Sequence, residues 1–162
     1  KQHMQFSGQD LQYTDPHTNK KFVPHVIEPA VGINRLMAMV LLDKYREEED
    51  RVYLALPAKL APYKAAVFPL LANKPELVAK AKEIYSALST GHLALGPIAW
   101  DDRGNVGKRY YSQDDIGTPF CITVDFQTLE DGTVTVRNRD TKEQPRMKIE
   151  ELSSYIGSSI TG

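Results

Sequence analysis

The chain has 162 residues, 41% of them hydrophobic and 25% charged, and 20 Lys and Arg residues against 21 Asp and Glu residues give a formal net charge of −1. This balance excludes a strongly basic nucleic-acid-binding protein, although a local basic face can exist within a neutral total. The single cysteine, Cys121, excludes an internal disulfide framework and is expected to be an inert buried thiol in a reducing compartment.

The first fifty residues predict a short strand followed by a long helix. After a polar opening rich in turn residues, "FVPHVIE" (residues 22–28) has strand composition. The stretch "INRLMAMVLLDKYREEED" (residues 33–50) follows helical spacing and is apolar on nearly every side until its polar end at residues 46–50. We therefore expect a helix that is buried from several sides and ends in solvent.

The remaining sequence predicts an extended connector over residues 51–57 and then an α/β domain over residues 58–162. Strands are expected at "AAVFPLL", "LALGPIAW", "PFCITVDF", "TVTVRNR" and "RMKIE", and helices at "NKPELVAKAKEIYSALSTG", "GKRYYSQDDIG" and "EELSSYIGSSI". The dipeptide Asp131-Gly132 predicts a hairpin turn. Strands and helices alternate in the first part of this order, and two strands joined by a hairpin are predicted in the second part. This order indicates a mixed β-sheet covered by helices.

Sequence patterns for metal binding, membrane insertion and nucleophilic catalysis are weak or missing. The four histidines have no paired spacing, and no Ser or Cys lies on a recognisable nucleophile elbow. Gly104 and Gly107 have a spacing seen in phosphate loops, but a tight turn into a helix explains them equally well. No apolar stretch approaches the roughly 20 residues that span a bilayer, and the first ten residues lack a secretory h-region. Since those residues do not resemble a chain beginning, a piece of a longer protein is expected.

A polar surface is predicted where "WDDRGNVGKRYY" connects a strand to a helix. Aromatic rings that stack on bases, cations that bind phosphates and carboxylates that accept from base amino groups are the groups used to read RNA. The alternating strand adds Arg137 and Arg139 on one face. The alternative is a solvated sheet face with ion pairs to Asp101 and Asp102. The candidate RNA-binding residues are Trp100, Asp102, Lys108, Arg109, Arg137 and Arg139.

The stretch "VIEPAVGINRL" (residues 26–36) places two charges around a tight turn. Gly32 permits close approach of a ligand to the backbone, and Arg35 falls in the first turn of the predicted helix. A cation is unfavourable at that positive end unless it meets an anion such as a phosphate. A buried ion pair between Glu28 and Arg35 is an equally good explanation.

These residues resemble motif 3 of the class II aminoacyl-tRNA synthetases, and the wider chain resembles glycyl-tRNA synthetases of the dimeric class II type. The resemblance extends in the family's order through "SGQDL", "KFVPHVIEP", "LPAKLAPYKAAVFPL", "GKRYYSQDDIGTPFCITVDF" and "DGTVTVRNRD". It implies that residues 1–50 are the end of an antiparallel class II catalytic domain and that residues 58–162 form an anticodon-binding domain. Residues 51–57 would be the connector between these two domains.

The resemblance also implies roles for individual residues. Arg35 would hold the γ-phosphate of ATP and act in catalysis, Glu28 would bind the glycine ammonium, and Gly32 and Ala30 would line the same pocket. The family usually has serine where this chain has Ala30, which raises the question of how well the pocket binds glycine. ATP with Mg²⁺, glycine, tRNA for glycine, a homodimer and a cytoplasmic location (or a mitochondrial one) are expected of the full-length enzyme.

The first two motifs of the family have no counterpart in this sequence, so the chain alone is expected to be inactive and to carry no bound cofactor. One alternative is a non-catalytic synthetase paralogue, such as the accessory subunit of mitochondrial DNA polymerase. A second alternative is an unrelated α/β ligand-binding domain.

Overall fold

The computed structural model describes residues 1–90 and 95–161 and divides the chain into two units, residues 1–36 and residues 37–162. In the first unit, helix α1 (Gln2–Ser7) precedes an antiparallel pair, β1 (Tyr13–Thr14) and β2 (Lys21–Phe22). The strand predicted over residues 22–28 is wrong beyond Phe22. Pro24 cannot donate a ladder hydrogen bond, and no other strand of the described chain pairs with this segment.

Helix α2 (Ile33–Lys44) begins where the sequence predicts but ends six residues early. Residues 45–54 form a hairpin in which β3 (Tyr45–Glu47) pairs antiparallel with β4 (Val52–Leu54). The prediction that the helix is buried is also wrong, because none of its residues is buried and Leu42 is 78% exposed. Local helical composition after Lys44 is overridden by tertiary contacts of the hairpin, which the charged sequence alone does not reveal.

The rest of the second unit contains five strands, four α-helices and one 3-10 helix (Ile149–Glu151) among the described residues. Most predicted elements are present, including the mixed sheet; the end of the predicted helix at Gly91 and residues 93–94 of the next predicted strand lie outside the described residues. The bounds are β5 (Ala65–Pro69), α3 (Pro75–Thr90), β6 (Ile98–Trp100), α4 (Val106–Ile116), β7 (Phe120–Val124), α5 (Phe126–Asp131), β8 (Thr133–Asn138), β9 (Arg146–Lys148) and α6 (Leu152–Thr161).

The five strands form one sheet in the order β6-β5-β7-β8-β9. Strand β5 pairs in parallel with both β6 and β7, whereas β8 is antiparallel to β7 and to β9. The connection from β5 to β6 runs one way along the sheet, and the connection from β6 to β7 runs back across β5. Because such crossovers are right-handed, α3 and α4 are placed on opposite faces.

Alternating residues of the strands build a core on each face of the sheet. On one face, residues such as Val67 and Ile122 pack with Ile84 of α3 and Leu152 of α6. On the other face, Ala66, Phe68, Ala99 and Cys121 pack with Val106 and Tyr110 of α4. Period-two alternation in buried strands therefore gives a three-layer arrangement.

The predicted hairpin turn at Asp131-Gly132 is wrong, because residues 126–131 form α5. Asp125 caps this helix by accepting from the Thr128 amide, and the Thr128 hydroxyl completes the capping box. Gly132 adopts φ +69° as the helix C-cap. The local signal for a glycine turn is genuine, but the turn ends a helix rather than joining two strands.

Cys121 is the second residue of β7 and is 1% exposed, which agrees with the expected buried thiol. Burial raises the pKa of this thiol above its ordinary range.

Candidate functional site

The loop between β6 and α4 (residues 101–105) lies at the carboxyl edge of the parallel strands, where open α/β sheets commonly bind ligands. Asp101 is buried and accepts from the Arg103 amide at 3.0 Å and from Arg103 Nε at 3.1 Å. Burial alone raises the pKa of Asp101, but the hydrogen bonds from Arg103 outweigh it and hold the pKa below its usual value. Gly104 follows at φ +61°, a conformation that favours glycine.

Helix α4 starts from this loop with a side-chain cap. Asn105 Oδ1 accepts from the amide of Lys108 at 2.9 Å, so the first turn is fixed relative to the loop. Lys108 is exposed, and 86% of the Arg103 side chain is exposed. Both cations are therefore accessible to a polyanion from solvent, and the guanidinium of Arg103 is at the same time paired with Asp101.

An aromatic and a carboxylate lie at the same edge. Trp100 is partly buried and makes an edge-to-face contact with Tyr85, with ring centroids 5.8 Å apart. Asp102 is also partly exposed. We call Trp100, Asp102, Arg103 and Lys108 the loop face. It adjoins a cleft of about 510 Å³, which lies within the usual range for small-ligand sites and is lined in part by Tyr63, Tyr85, Trp100, Asp101 and Arg103.

Arg109 lies under the loop rather than on its surface. It is 2% exposed and donates to three backbone carbonyls: from Nη1 to Pro69 at 2.5 Å, from Nε to Arg103 at 2.9 Å and from Nη2 to Gly104 at 2.8 Å. The guanidinium thus joins the end of β5 to the loop that leads into α4.

Arg137 is likewise buried, and its partner is a carboxylate that the sequence did not single out. Asp114 of α4 is 0% exposed and accepts a bidentate pair from Arg137 at 2.8 and 2.9 Å and a third bond from Arg51 at 2.8 Å. Burial lowers the pKa of Arg137, but the bonds to Asp114 more than compensate and raise it. Its guanidinium also lies 5.0 Å from the ring centroid of Tyr110.

Arg139 completes this internal network. It is 3% exposed and donates to the carbonyls of Gly117 at 2.7 Å and Leu56 at 2.9 Å, and it forms an ion pair with Asp140. Arg51 Nη1 in turn donates to the Arg139 carbonyl at 2.8 Å. The network therefore joins the β3–β4 hairpin and the segment after it to the sheet.

The structure brings together only part of the predicted RNA-binding set. Trp100, Asp102 and Lys108 lie at one exposed edge, whereas Arg109, Arg137 and Arg139 are buried against internal partners. The ion pairs foreseen for the sheet face go to Asp114 and Asp140 rather than to Asp101 or Asp102. Arg103 lies in the predicted polar stretch but is not among the six candidate RNA-binding residues; its exposed side chain adds it to this edge.

The predicted residues of the tight turn lie in the first unit, and all four are exposed: Glu28, Ala30, Gly32 and Arg35. Arg35 is the third residue of α2, and the Gly32 carbonyl accepts from the Leu36 amide at 3.0 Å, so the arginine is in the first helical turn as predicted. In the described part of the chain no ion pair joins Glu28 to Arg35.

Over residues 1–90 and 95–161, no group of three or more His, Cys, Asp or Glu side chains has an arrangement that could hold a metal ion. Across the same residues, no helix combines the length and apolar character needed to cross a bilayer.

Comparison with known proteins adds a family match and a set of relatives. Residues 64–159 match the anticodon binding domain family. The chain is 48% identical over 99% of its length to a glycine–tRNA ligase of Clostridium acetobutylicum, 44% identical over 99% to one of Corynebacterium efficiens, and 46% identical over 95% to one of Mesoplasma florum. It spans 34%, 36% and 34% of these relatives, about a third of each.

Proposed function

The chain belongs to the anticodon binding domain family, and on that premise we propose that it is the part of a glycyl-tRNA synthetase that binds the anticodon arm of glycine tRNA and supplies motif 3 of the ATP site. The observation that carries this proposal is the similarity of nearly the whole chain, on both sides of the family match, to proteins named glycine–tRNA ligase.

The proposed division of labour follows the predicted domains. Residues 1–50 contribute the end of a catalytic domain, residues 51–57 connect, and residues 58–162 bind tRNA. The mixed sheet with helices on both faces supports the last assignment, since it presents the loop face at the carboxyl edge of its parallel strands.

The loop face is chemically suited to single-stranded RNA. Its two exposed cations can neutralise phosphates, the indole of Trp100 can stack on a base, and the carboxylate of Asp102 can accept from a base amino group. Arg109, Arg137 and Arg139 stay predicted tRNA-binding residues, but their burial favours a role in shaping the surface. Direct contacts to the RNA are more readily made by the accessible residues of the loop face, which are Trp100, Asp102, Arg103 and Lys108.

In the same proposal the full-length protein uses ATP to attach glycine to its tRNA. Arg35 binds the γ-phosphate, Glu28 binds the glycine ammonium, and Ala30 and Gly32 line the pocket; their exposure leaves these groups accessible to substrate. Mg²⁺ accompanies ATP as part of the substrate. A homodimer and a cytoplasmic location belong to the proposal, and the single reduced cysteine is compatible with that compartment.

The relatives favour this function over a non-catalytic paralogue, because those compared are named as ligases. The retained Glu28 and Arg35 point the same way.

Binding of the chain to RNA tests the tRNA-reading part of the proposal. We expect it to bind a glycine tRNA transcript weakly, with an affinity that falls as salt rises because phosphate contacts release counterions. A transcript with the same stem and a scrambled anticodon is the matched control. Equal affinity for the two transcripts, measured by fluorescence anisotropy at one salt concentration, would remove the recognition role.

A further inference from the structure

We propose that Arg109 is a positioning residue for the loop of residues 101–105, and that it sets the geometry of RNA reading without contacting RNA. The inference rests on the proposed function, because this loop reads RNA only if the chain binds an anticodon arm. It replaces a surface role for Arg109 with a buried one.

Three bonds carry the inference. The Arg109 guanidinium donates to the carbonyls of Arg103 and Gly104 inside the loop and to the carbonyl of Pro69 at the end of β5. The end of β5, the loop of residues 101–105 and the first turn of α4 therefore meet at a single side chain that is 2% exposed. A ligand at the surface has no access to these donors while the bonds are made.

The positive charge of Arg109 is stabilised by backbone carbonyls rather than by an ion pair. Among the described residues no carboxylate lies within ion-pair distance of it, so its polar partners are carbonyl dipoles. A buried carbonyl that loses its donor carries a desolvation penalty. Lysine keeps the charge but has one nitrogen on a flexible stem, and it lacks the planar fork that reaches three carbonyls in different directions.

The loop is held from its other side as well. Asp101 accepts from the Arg103 amide while Arg109 binds the Arg103 carbonyl, so both polar groups of that peptide backbone are engaged. The positive φ of Gly104 and the cap by Asn105 then direct the chain into α4. As a result, the side chains of Asp102 and Arg103 project from a fixed backbone, and preorganised groups discriminate better than mobile ones.

The test is the conservative substitution Arg109→Lys in the full chain, with Arg146→Lys as the matched control. Arg146 lies on β9, donates to the carbonyl and hydroxyl of Thr133 and pairs with Asp125, so like Arg109 it is an arginine whose guanidinium is bonded to a backbone carbonyl. One readout is hydrogen exchange of the Arg103 amide by NMR without RNA. The other is the ratio of affinities for a short RNA hairpin with a glycine anticodon and the same hairpin with one anticodon base changed.

We expect Arg109→Lys to speed exchange of the Arg103 amide by about tenfold or more and to reduce the affinity ratio by about tenfold. The salt dependence of binding should persist, because Arg103 and Lys108 keep their charges. Arg146→Lys should change neither readout. Unchanged exchange and an unchanged ratio in Arg109→Lys overturn the inference, as do equal losses in both variants.

The two proposals fail separately. If the wild-type chain shows no anticodon preference, the proposed function fails, while amide exchange still decides whether Arg109 holds the loop. If Arg109→Lys does not fold, as judged by circular dichroism, Gly104→Ala takes its place. An added Cβ there meets no atom within 4 Å, so the change strains only the backbone of the loop. A retained anticodon preference in Gly104→Ala overturns the inference.

Discussion

At the scale of single residues, motif 3 gives the sharpest prediction. If the proposed function holds, Arg35→Ala in the full-length protein should nearly abolish glycine-dependent ATP–pyrophosphate exchange, because the proposed cation on the reacting triphosphate is lost. Arg46→Ala, which removes an exposed arginine bonded to nearby carbonyls, is the control and should exchange normally. Normal exchange in Arg35→Ala would contradict the motif 3 assignment.

Ala30→Ser tests the predicted departure from the family at this position. A lower KM for glycine in this variant would indicate that Ala30 weakens glycine binding in the pocket.

The exposed cations of the loop face make a second prediction at this scale. Arg103→Ala and Lys108→Ala should each weaken binding to glycine tRNA and reduce the slope of log affinity against log salt by about 1, if each contacts one phosphate. Lys82→Ala, an exposed lysine on α3, should leave the slope unchanged. A salt titration by anisotropy gives the slopes. Identical slopes in all four proteins contradict the placement of the RNA on this face.

The residues also show where sequence reasoning stops. Alternation in residues 133–138 correctly predicts a strand with Val134 and Val136 on one side. The same alternation cannot reveal that α4 covers the other side and presents Asp114 to Arg137, because that carboxylate comes from a different element. The periodicity of a strand defines its two faces, whereas burial depends on what packs against each face.

At the scale of elements, side-chain ion pairs stabilise the β3–β4 hairpin. Glu48 binds Arg51 at 3.0 Å and Lys142 at 2.9 Å, and these hydrogen bonds lower the pKa of Glu48 to about 2. A carboxyl whose pKa is lower in the folded state stabilises fully above its unfolded pKa and loses that contribution as pH falls through the folded value. The window for Glu48 therefore runs from pH 4.5 down to about 2.

We expect Glu48→Gln to lower Tm at neutral pH and the difference from wild type to shrink across that window. Glu49→Gln is the neighbouring control, since Glu49 forms no ion pair within the described ranges, and its Tm difference should not follow this pattern. Thermal melts over a pH series measure both. A Glu48→Gln difference that stays constant down to pH 2 argues against the hairpin contact.

Two segments show why local sequence patterns gave wrong predictions of secondary structure. The acidic run after Tyr45 has helical composition, but pairing of β3 with β4 and the burial of Arg51 against Asp114 favour the hairpin. Asp131-Gly132 is a common hairpin turn, yet the capping box at Asp125 begins a helix just before it. The fold class, by contrast, follows from the alternation of strands and helices, which each segment signals for itself.

At the scale of the whole chain, the predicted boundary at residues 51–57 can be tested by truncation. A polypeptide that starts at Ala58 loses Arg51 and the Leu56 carbonyl, the partners of Asp114 and Arg139. Asp114 keeps its two bonds from Arg137, so the lost bond from Arg51 should cost about 1.5–3 kcal/mol, the usual value for a hydrogen bond to a charged group. We expect urea unfolding to show this loss relative to a polypeptide that starts at Met37.

The polypeptide that starts at Met37 should itself retain most of the stability of residues 37–162 in the full chain, because the two units are compact separately. Equal stability of the Ala58 and Met37 forms would support residues 51–57 as a simple connector. Sequence alone placed the connector there because prolines interrupt the pattern, but proline spacing carries no information about the buried contacts of Arg51.

The depth of Cys121 has a practical consequence for labelling. Because this thiol is the one cysteine in the sequence and is shielded in β7 with a raised pKa, maleimide reagents should leave the native chain unmodified. Lys82→Cys on α3 would then supply a single reactive handle without prior removal of a native cysteine. Because Tyr85 of α3 contacts Trp100 of the loop face, a fluorophore attached to this helix can report RNA binding, and the native core needs no substitution.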